Sequence, residues 1–253
     1  MTVFGIGFIF IMTALGAALV YCFSGKVSAK LHALFLGFTA GIMLAASVWS
    51  LLLPALEEGE NGWGRYACIP VCVGFLLGSG FLTLLDKLLP ENLWFGANVS
   101  VPQHIRRLFL SVTLHNIPEG LAVGFAFGAA FSLGSSGAYA TALGLAIGIG
   151  IQNFPEGAAV ALPMKVPLKS KNKAFLCGVA SGVAEPLFAV LGYFLAAQLR
   201  FLQPWLLAFA AGAMVFVVAE DILPKAQSEN PTAGAWSVVV GFLVMMALDV
   251  IFG

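Results

Sequence analysis

Eight runs of predominantly apolar residues, each about as long as a bilayer is thick, fill almost all of this 253-residue chain. A helix needs roughly 20 such residues to cross the hydrocarbon core, whereas a barrel strand needs only about ten. Inside lipid every backbone N–H and C=O must be paired within the spanning structure, so runs of helical length become helices. They fall at about 3–23, 33–53, 67–88, 108–130, 138–162, 174–196, 203–222 and 235–252. The fold class expected is all-α integral membrane, with eight transmembrane helices in one domain covering 1–253. Charged residues are 9% of the chain, against about 25% in a soluble domain, too few to coat a water-facing globule. The 12 basic residues balance the 12 acidic ones, so there is no basic footprint for nucleic acid. Membrane lipid is the expected surrounding.

Charge between the spans orients them. With the N-terminus outside, the cytosolic connections and their flanks hold Lys26, Lys30, Lys87, Arg106, Arg107, Lys165, Lys169, Lys171, Lys173 and Lys225. The outer ones hold Arg65 and Arg200. Lys and Arg concentrate on the cytosolic side of membrane proteins, so both termini are expected outside. The acidic Glu57, Glu58 and Glu60 then fall on the outer side, and Lys165–Lys173 is a topology determinant rather than a lipid-binding patch. The apolar N-terminus lacks a basic leader and reads as a retained first span. His32 and His104 lie near cytosolic span ends and are expected to be solvated, and Glu220, Asp221 and Asp249 are expected to sit in interfacial water.

Cys22, Cys68, Cys72 and Cys177 are scattered in or beside apolar stretches. Free Cys is among the most buried residue types, so packing is expected of them. Small residues recur every fourth position at Gly37/Gly41/Ala45, Gly74/Gly78, Gly120/Gly124/Gly128 and Ala140/Gly144/Gly148. Such stripes let helices approach closely in lipid.

One hexapeptide occurs twice, as His115-Asn116-Ile117-Pro118-Glu119-Gly120 and as Gln152-Asn153-Phe154-Pro155-Glu156-Gly157. The copies lie in consecutive and therefore antiparallel spans, the pattern of an inverted repeat with binding near the midplane. A fainter echo links Ala40-Gly41-Ile42-Met43, before Leu53-Pro54, to Ala211-Gly212-Ala213-Met214, before Leu223-Pro224. The arrangement expected is a 3+2+3 inverted-repeat bundle, with spans 1–3 and 6–8 around the central pair.

At 100° per residue, His115 and Glu119 share one helix face with Asn116 beside them. Gln152, Asn153 and Glu156 repeat that face. Glu185 is a third carboxylate deep in an apolar run, next to Pro186. A central charge in the bilayer costs at least about 2.5–3.5 kcal/mol, and no Lys or Arg lies at comparable depth. Compensation must come from protons or a bound cation. Imidazole, amide oxygens and carboxylates together suit Zn²⁺, and Fe²⁺, Mn²⁺, Co²⁺ and Cd²⁺ fit the same donors. Pro118, Pro155 and Pro186 lack an N–H and so free the carbonyls of Leu114, Ile151 and Gly182. Freed carbonyls in lipid need protein, water or an ion to meet them.

These residues resemble the ZIP (Zrt-, Irt-like) family of divalent metal transporters. The resemblance covers the whole chain: eight spans, outside termini, both motif copies and the Glu185-Pro186 pair. Gln152, where many members carry His, resembles the GufA-type bacterial branch; no loop is His-rich. The resemblance implies two metals at mid-membrane. One would be held by His115, Glu119, Gln152 and Glu156, with Met43 at its edge. The other would be held by Asn116, Glu119, Asn153, Glu156 and Glu185, so that Glu119 and Glu156 bridge. Asn153 departs from members with Asp there. The resemblance also implies import into the cytosol across a cell (plasma or inner) membrane. It further implies a homodimer, and an elevator-like motion of spans 1, 4, 5 and 6 against 2, 3, 7 and 8.

Zinc is thus expected as transported substrate, with no organic cofactor and no enzymatic activity. Two other readings of the residues stand beside transport of metal. An intramembrane metal-dependent hydrolase would need a helix-borne His-Glu-x-x-His or an equivalent, which the chain lacks. A proton-coupled carrier of a small organic solute would use the carboxylates as a relay but gives no role to the paired amides.

Overall fold

The computed structural model describes residues 1–22, 28–88 and 101–252. The expectations for Lys26, for residues 90–100 and for the side chains of His104, Arg107 and Arg200 lie outside the described residues. Among the described residues every regular element is helical. Helix α1 is Thr2–Cys22 and α2 is Ala29–Ala46, whose first turn is capped by Ser28 accepting from the Leu31 N–H at 3.2 Å. A π-helical turn, Ser47–Leu52, carries α2 into α3, Leu53–Trp63. Then come α4 (Cys68–Leu88), α5 (Gln103–Leu133), α6 (Ser136–Leu168), α7 (Lys171–Gly182), α8 (Ala184–Gln198) and α9 (Gln203–Val217). A second π-helical turn, Val218–Ile222, leads into α10 (Leu223–Glu229), and α11 (Pro231–Phe252) closes the chain.

Seven helical stretches among the described residues are long and apolar enough to cross a membrane. Helix α5 is not among them, although it has 31 residues. Ser111, Thr113, His115, Asn116 and Glu119 dilute its hydropathy, so the polar motif itself masks the span that carries it.

Prolines account for the departures from the expected boundaries. The second run does not end near 53 but continues as helix to Trp63, placing Glu57, Glu58 and Glu60 on α3. Pro54 offers no N–H to the Ser50 carbonyl, and the helix answers by widening: the Leu53 N–H reaches back to Val48 O. Pro224 acts the same way, and the Leu223 N–H reaches Val218 O. Single π turns of this kind accommodate such a mismatch without ending the helix. The sixth run is not one helix. It breaks at Val183, where the N–H closes a tight turn on Ala180 O at 3.3 Å, two residues before Glu185-Pro186.

The most extensive helix pairs are α5 with α8, α1 with α6, α2 with α11 and α4 with α9. Small residues set their separation. A Cβ at Gly41 would overlap the Val238 carbonyl on α11, and one at Gly212 would overlap the Phe75 carbonyl on α4. In lipid, where apolar surface alone drives nothing together, this contact of backbone on backbone supplies the dispersion energy of assembly. Between α5 and α6 the chain turns in two residues. Gly134 takes the left-handed conformation (φ 63°) and Ser135 caps α6 by accepting from the Ala138 N–H.

The periphery is apolar, with Leu76, Leu187 and Val250 among its exposed residues. Cys22, Cys68 and Cys72 lie on it too, and Cys177 is half-buried. The expected packing of these thiols is therefore corrected: α1 and α4 turn those positions toward lipid. Asp249 is corrected as well. It is buried where α11 meets the first π turn, and its carboxylate accepts from Ser50 Oγ at 2.6 Å. His32 is held by Glu229, Nδ1 to Oε1 at 3.3 Å, rather than by solvent alone.

Candidate metal centre

The two motif copies meet between α5 and α6, and each carries Gly one residue after Glu. A Cβ at Gly120 would overlap the Glu185 carbonyl on α8, and a Cβ at Gly157 would overlap the Thr13 carbonyl on α1. These close approaches draw α1 and α8 against the motif helices. Four helices thereby surround one buried polar cluster: Glu119, Gln152, Asn153 and Glu185 are at 0% exposure, with Asn116 at 1%, Glu156 at 4% and His115 at 7%.

Glu119 Oε1 accepts from Gln152 Nε2 at 2.6 Å, linking the copies directly. The same amide lies 3.4 Å from Asn153 Oδ1. Each asparagine uses its amide nitrogen on a backbone carbonyl of a neighbouring span. Asn116 donates to Ser181 O at 2.8 Å and Asn153 to Ile9 O at 3.5 Å. Ser181 lies in the last turn before the break at Val183, so Asn116 fills part of that break. Glu185 Oε1 accepts from Thr13 Oγ1 at 2.6 Å, and the same hydroxyl, with one proton to give, lies 3.2 Å from Ile9 O. Glu119 lies close enough to Glu156 and Glu185 to feel both charges.

What these bonds leave over defines the chemistry. Asn116 Oδ1, Glu119 Oε2, Gln152 Oε1, both Glu156 oxygens and Glu185 Oε2 are buried without a hydrogen-bond partner. Six acceptor oxygens from three spans remain unmet in one interior. A buried acceptor left unpaired costs about 1–3 kcal/mol, more when charged. Lys225 is bound to Asp221 at 2.5 Å. Oxygen acceptors lacking donors are what a divalent cation supplies for. Among the described residues no three His, Cys, Asp or Glu side chains are grouped as a ready metal site.

Two expected ligands have neighbours other than these oxygens. His115 Nε2 lies 3.2 Å from Ser111 Oγ and 3.6 Å from Asp221 Oδ2. Met43 is fully buried in the apolar core of the bundle. The expectation of interfacial water around Asp221 is corrected: it joins Ser111, Lys225 and His115 in a polar cluster between α5 and the second π turn. Sequence pattern alone gives Thr13, Ser111 and Asp221 no part in the site. Ser111 one turn before His115 is the available signal for that cluster, and a lone hydroxyl in the middle of α1 is the signal for Thr13.

Comparison with known proteins adds a family. A family model described as ZIP Zinc transporter matches residues 102–249. Zinc transporter ZIP11 of Homo sapiens is 38% identical over 324 residues, covering 96% of this chain and 94% of its own length. Zinc transporter ZIPB of Bordetella bronchiseptica is 35% identical over 251 residues, covering 96% of this chain and 79% of its own. Zinc transporter GufA of Myxococcus xanthus is 34% identical over 253 residues, covering 95% and 94%.

Proposed function

We propose that this chain, which belongs to the ZIP family of zinc transporters, carries a divalent transition metal, zinc first, into the cytosol through the oxygen cluster between α5, α6 and α8. One observation carries the reading: among the described residues, six buried acceptor oxygens, five on the repeated motif and one on Glu185, have no donor. Ionised, Glu119, Glu156 and Glu185 bring three negative charges. One divalent ion leaves one negative charge, and two leave one positive charge; both are nearer neutrality than the empty ionised site. Protons hold the empty site and leave as the cargo binds.

The reading extends to two cargo positions sharing Glu119 and Glu156. His115, Gln152 and Met43 complete one, and Asn116, Asn153 and Glu185 the other. His115 reaches the first position by turning from the Ser111–Asp221 side. Eight spans in a 3+2+3 inverted repeat, with both termini outside a cell membrane, frame the site. The pairing of helices supports this repeat, because exchanging spans 1–3 with 6–8 and span 4 with 5 converts α5–α8 into α6–α1 and α2–α11 into α9–α4. The same pairing supports a moving unit of α1, α5, α6 and α7–α8 against the rest. A homodimer completes the proposal. Catalysis has no place in it: the named relatives are transporters.

The test is radiozinc uptake into sealed proteoliposomes, with Fe²⁺, Mn²⁺, Co²⁺ and Cd²⁺ as competitors and Glu156→Ala as control. Saturable uptake by the wild type, lost in Glu156→Ala, is the expected result. Equal uptake by both proteins rejects the site, and uptake by neither rejects metal transport.

A further inference from the structure

Thr13 is a hydroxyl at 1% exposure in the middle of an otherwise apolar helix. It stands where Glu185 stands on the opposite side of the site. Gly157 packs on the Thr13 carbonyl as Gly120 packs on the Glu185 carbonyl. Asn153 donates to Ile9 O, four residues before Thr13, as Asn116 donates to Ser181 O, four residues before Glu185. The two counterparts touch: Thr13 Oγ1 donates to Glu185 Oε1 at 2.6 Å, and Glu185 Oε2 is left buried and unpartnered. The Thr13 methyl is packed as well, since a Cβ at Gly182 would lie 2.9 Å from its Cγ2.

We infer that Thr13 is a positioning residue for the cargo: its hydroxyl fixes one Glu185 oxygen and thereby aims the other at the ion. This rests on the transport reading above, in which Glu185 is a ligand. The physical ground is geometric. A carboxylate on a flexible side chain has several rotamers, and a short hydrogen bond to one oxygen, charge-assisted when Glu185 is ionised, selects one of them. An ion site loses affinity when its ligand must be oriented at the moment of binding. Glu119 is held in the same manner by Gln152, whereas neither Glu156 oxygen has a hydrogen-bond donor among the described residues. Two of the three carboxylates are therefore pre-aimed and the third is free to adapt.

The experiment compares Thr13→Val, which keeps the shape and removes the donor, with Thr13→Ser, which keeps the donor and removes the methyl. Zinc uptake kinetics in proteoliposomes are read with calorimetric zinc affinity in detergent, and thermal unfolding reports whether each variant is folded. Thr13→Val is expected to raise the zinc KM and dissociation constant about tenfold, with maximal flux less affected. Thr13→Ser is expected to stay within about twofold of wild type. Wild-type KM and affinity in Thr13→Val overturn the inference. So does a Thr13→Ser variant as impaired as Thr13→Val, because the methyl rather than the hydroxyl would then matter. If Thr13→Val does not fold, Thr13→Ser against Thr13→Ala decides in its place, with the same expectation for Ala as for Val. A wild-type protein that neither binds nor carries zinc removes the transport reading and this inference with it; a zinc-carrying wild type matched by Thr13→Val removes only this inference.

Discussion

Gln152 reaches across from one motif helix to the other and gives its amide to Glu119, Nε2 to Oε1 at 2.6 Å. With its nitrogen toward the ionised Glu119, Gln152 is left with Oε1 buried and without a partner. A residue at the His position of the first copy thus orients a neighbouring carboxylate and offers an oxygen of its own. Gln152→Leu is expected to abolish the second role and leave Glu119 unsupported. Zinc uptake should fall at least tenfold while membrane expression persists, measured by transport normalised to protein in the bilayer.

Glu119 touches both proposed cargo positions, so its loss should be more severe than that of any other ligand. Glu119→Gln keeps the shape and removes the charge. Flux should drop to the level of empty liposomes, with little loss of thermal stability because a buried carboxylate is replaced by a neutral amide. Retention of more than about half the flux would contradict the bridging role.

Protons and metal compete for the same oxygens, so acid should weaken binding. Ligands must shed protons to take a metal ion; raising the proton concentration therefore favours the empty form. Zn²⁺ or Cd²⁺ affinity titrated from pH 8 to pH 5 is expected to fall steadily. A flat profile would exclude proton exchange at the site.

Asn116 is fixed by a structural task, donating to Ser181 O at 2.8 Å beside the break at Val183. Asn116→Asp keeps the oxygen for the ion and loses the donor. The expected cost is about 1–3 kcal/mol for a carbonyl left unpaired, seen as a lowered Tm. Asn116→Ala should lose both donor and ligand and lower Tm and zinc affinity together.

Gly120 and Gly157 carry the contacts that close the site. Any side chain at Gly120 meets the Glu185 backbone, and backbone yields less readily than a side chain end. Gly120→Val is expected to cost about 1–3 kcal/mol of overpacking or more and to displace α8, abolishing uptake. Gly80, where an added Cβ would meet open space, is the control: Gly80→Ala should leave both Tm and uptake near wild type.

Much of the site was legible because lipid makes polar residues conspicuous. Glu119, Glu156 and Glu185 stand out in apolar runs, and the repeated Asn-x-Pro-Glu-Gly announces two antiparallel faces without any structure. Proline marked Pro118, Pro155 and Pro186 as places of freed carbonyls, yet α5 and α6 run on through the first two, and the widened turns before Pro54 and Pro224 were not foreseen. The helix widens at Ser47–Leu52 and breaks at Val183. Here Asn116 offers an amide to the Ser181 turn, a contact across 65 residues that no local pattern encodes. Asp221 and Asp249 misled for the opposite reason. Their distance from the span centre says water, while the structure buries Asp249 against the first π turn and gives Asp221 protein partners in Ser111 and Lys225. The thiols misled because burial statistics from water-soluble proteins do not apply where the outside is also apolar.

The turn at Gly134–Ser135 is only two residues long and joins helices of 31 and 33 residues. So brief a tether leaves no slack for one motif helix to slip lengthwise past the other. In any lengthwise stroke of this bundle, His115–Gly120 and Gln152–Gly157 travel together.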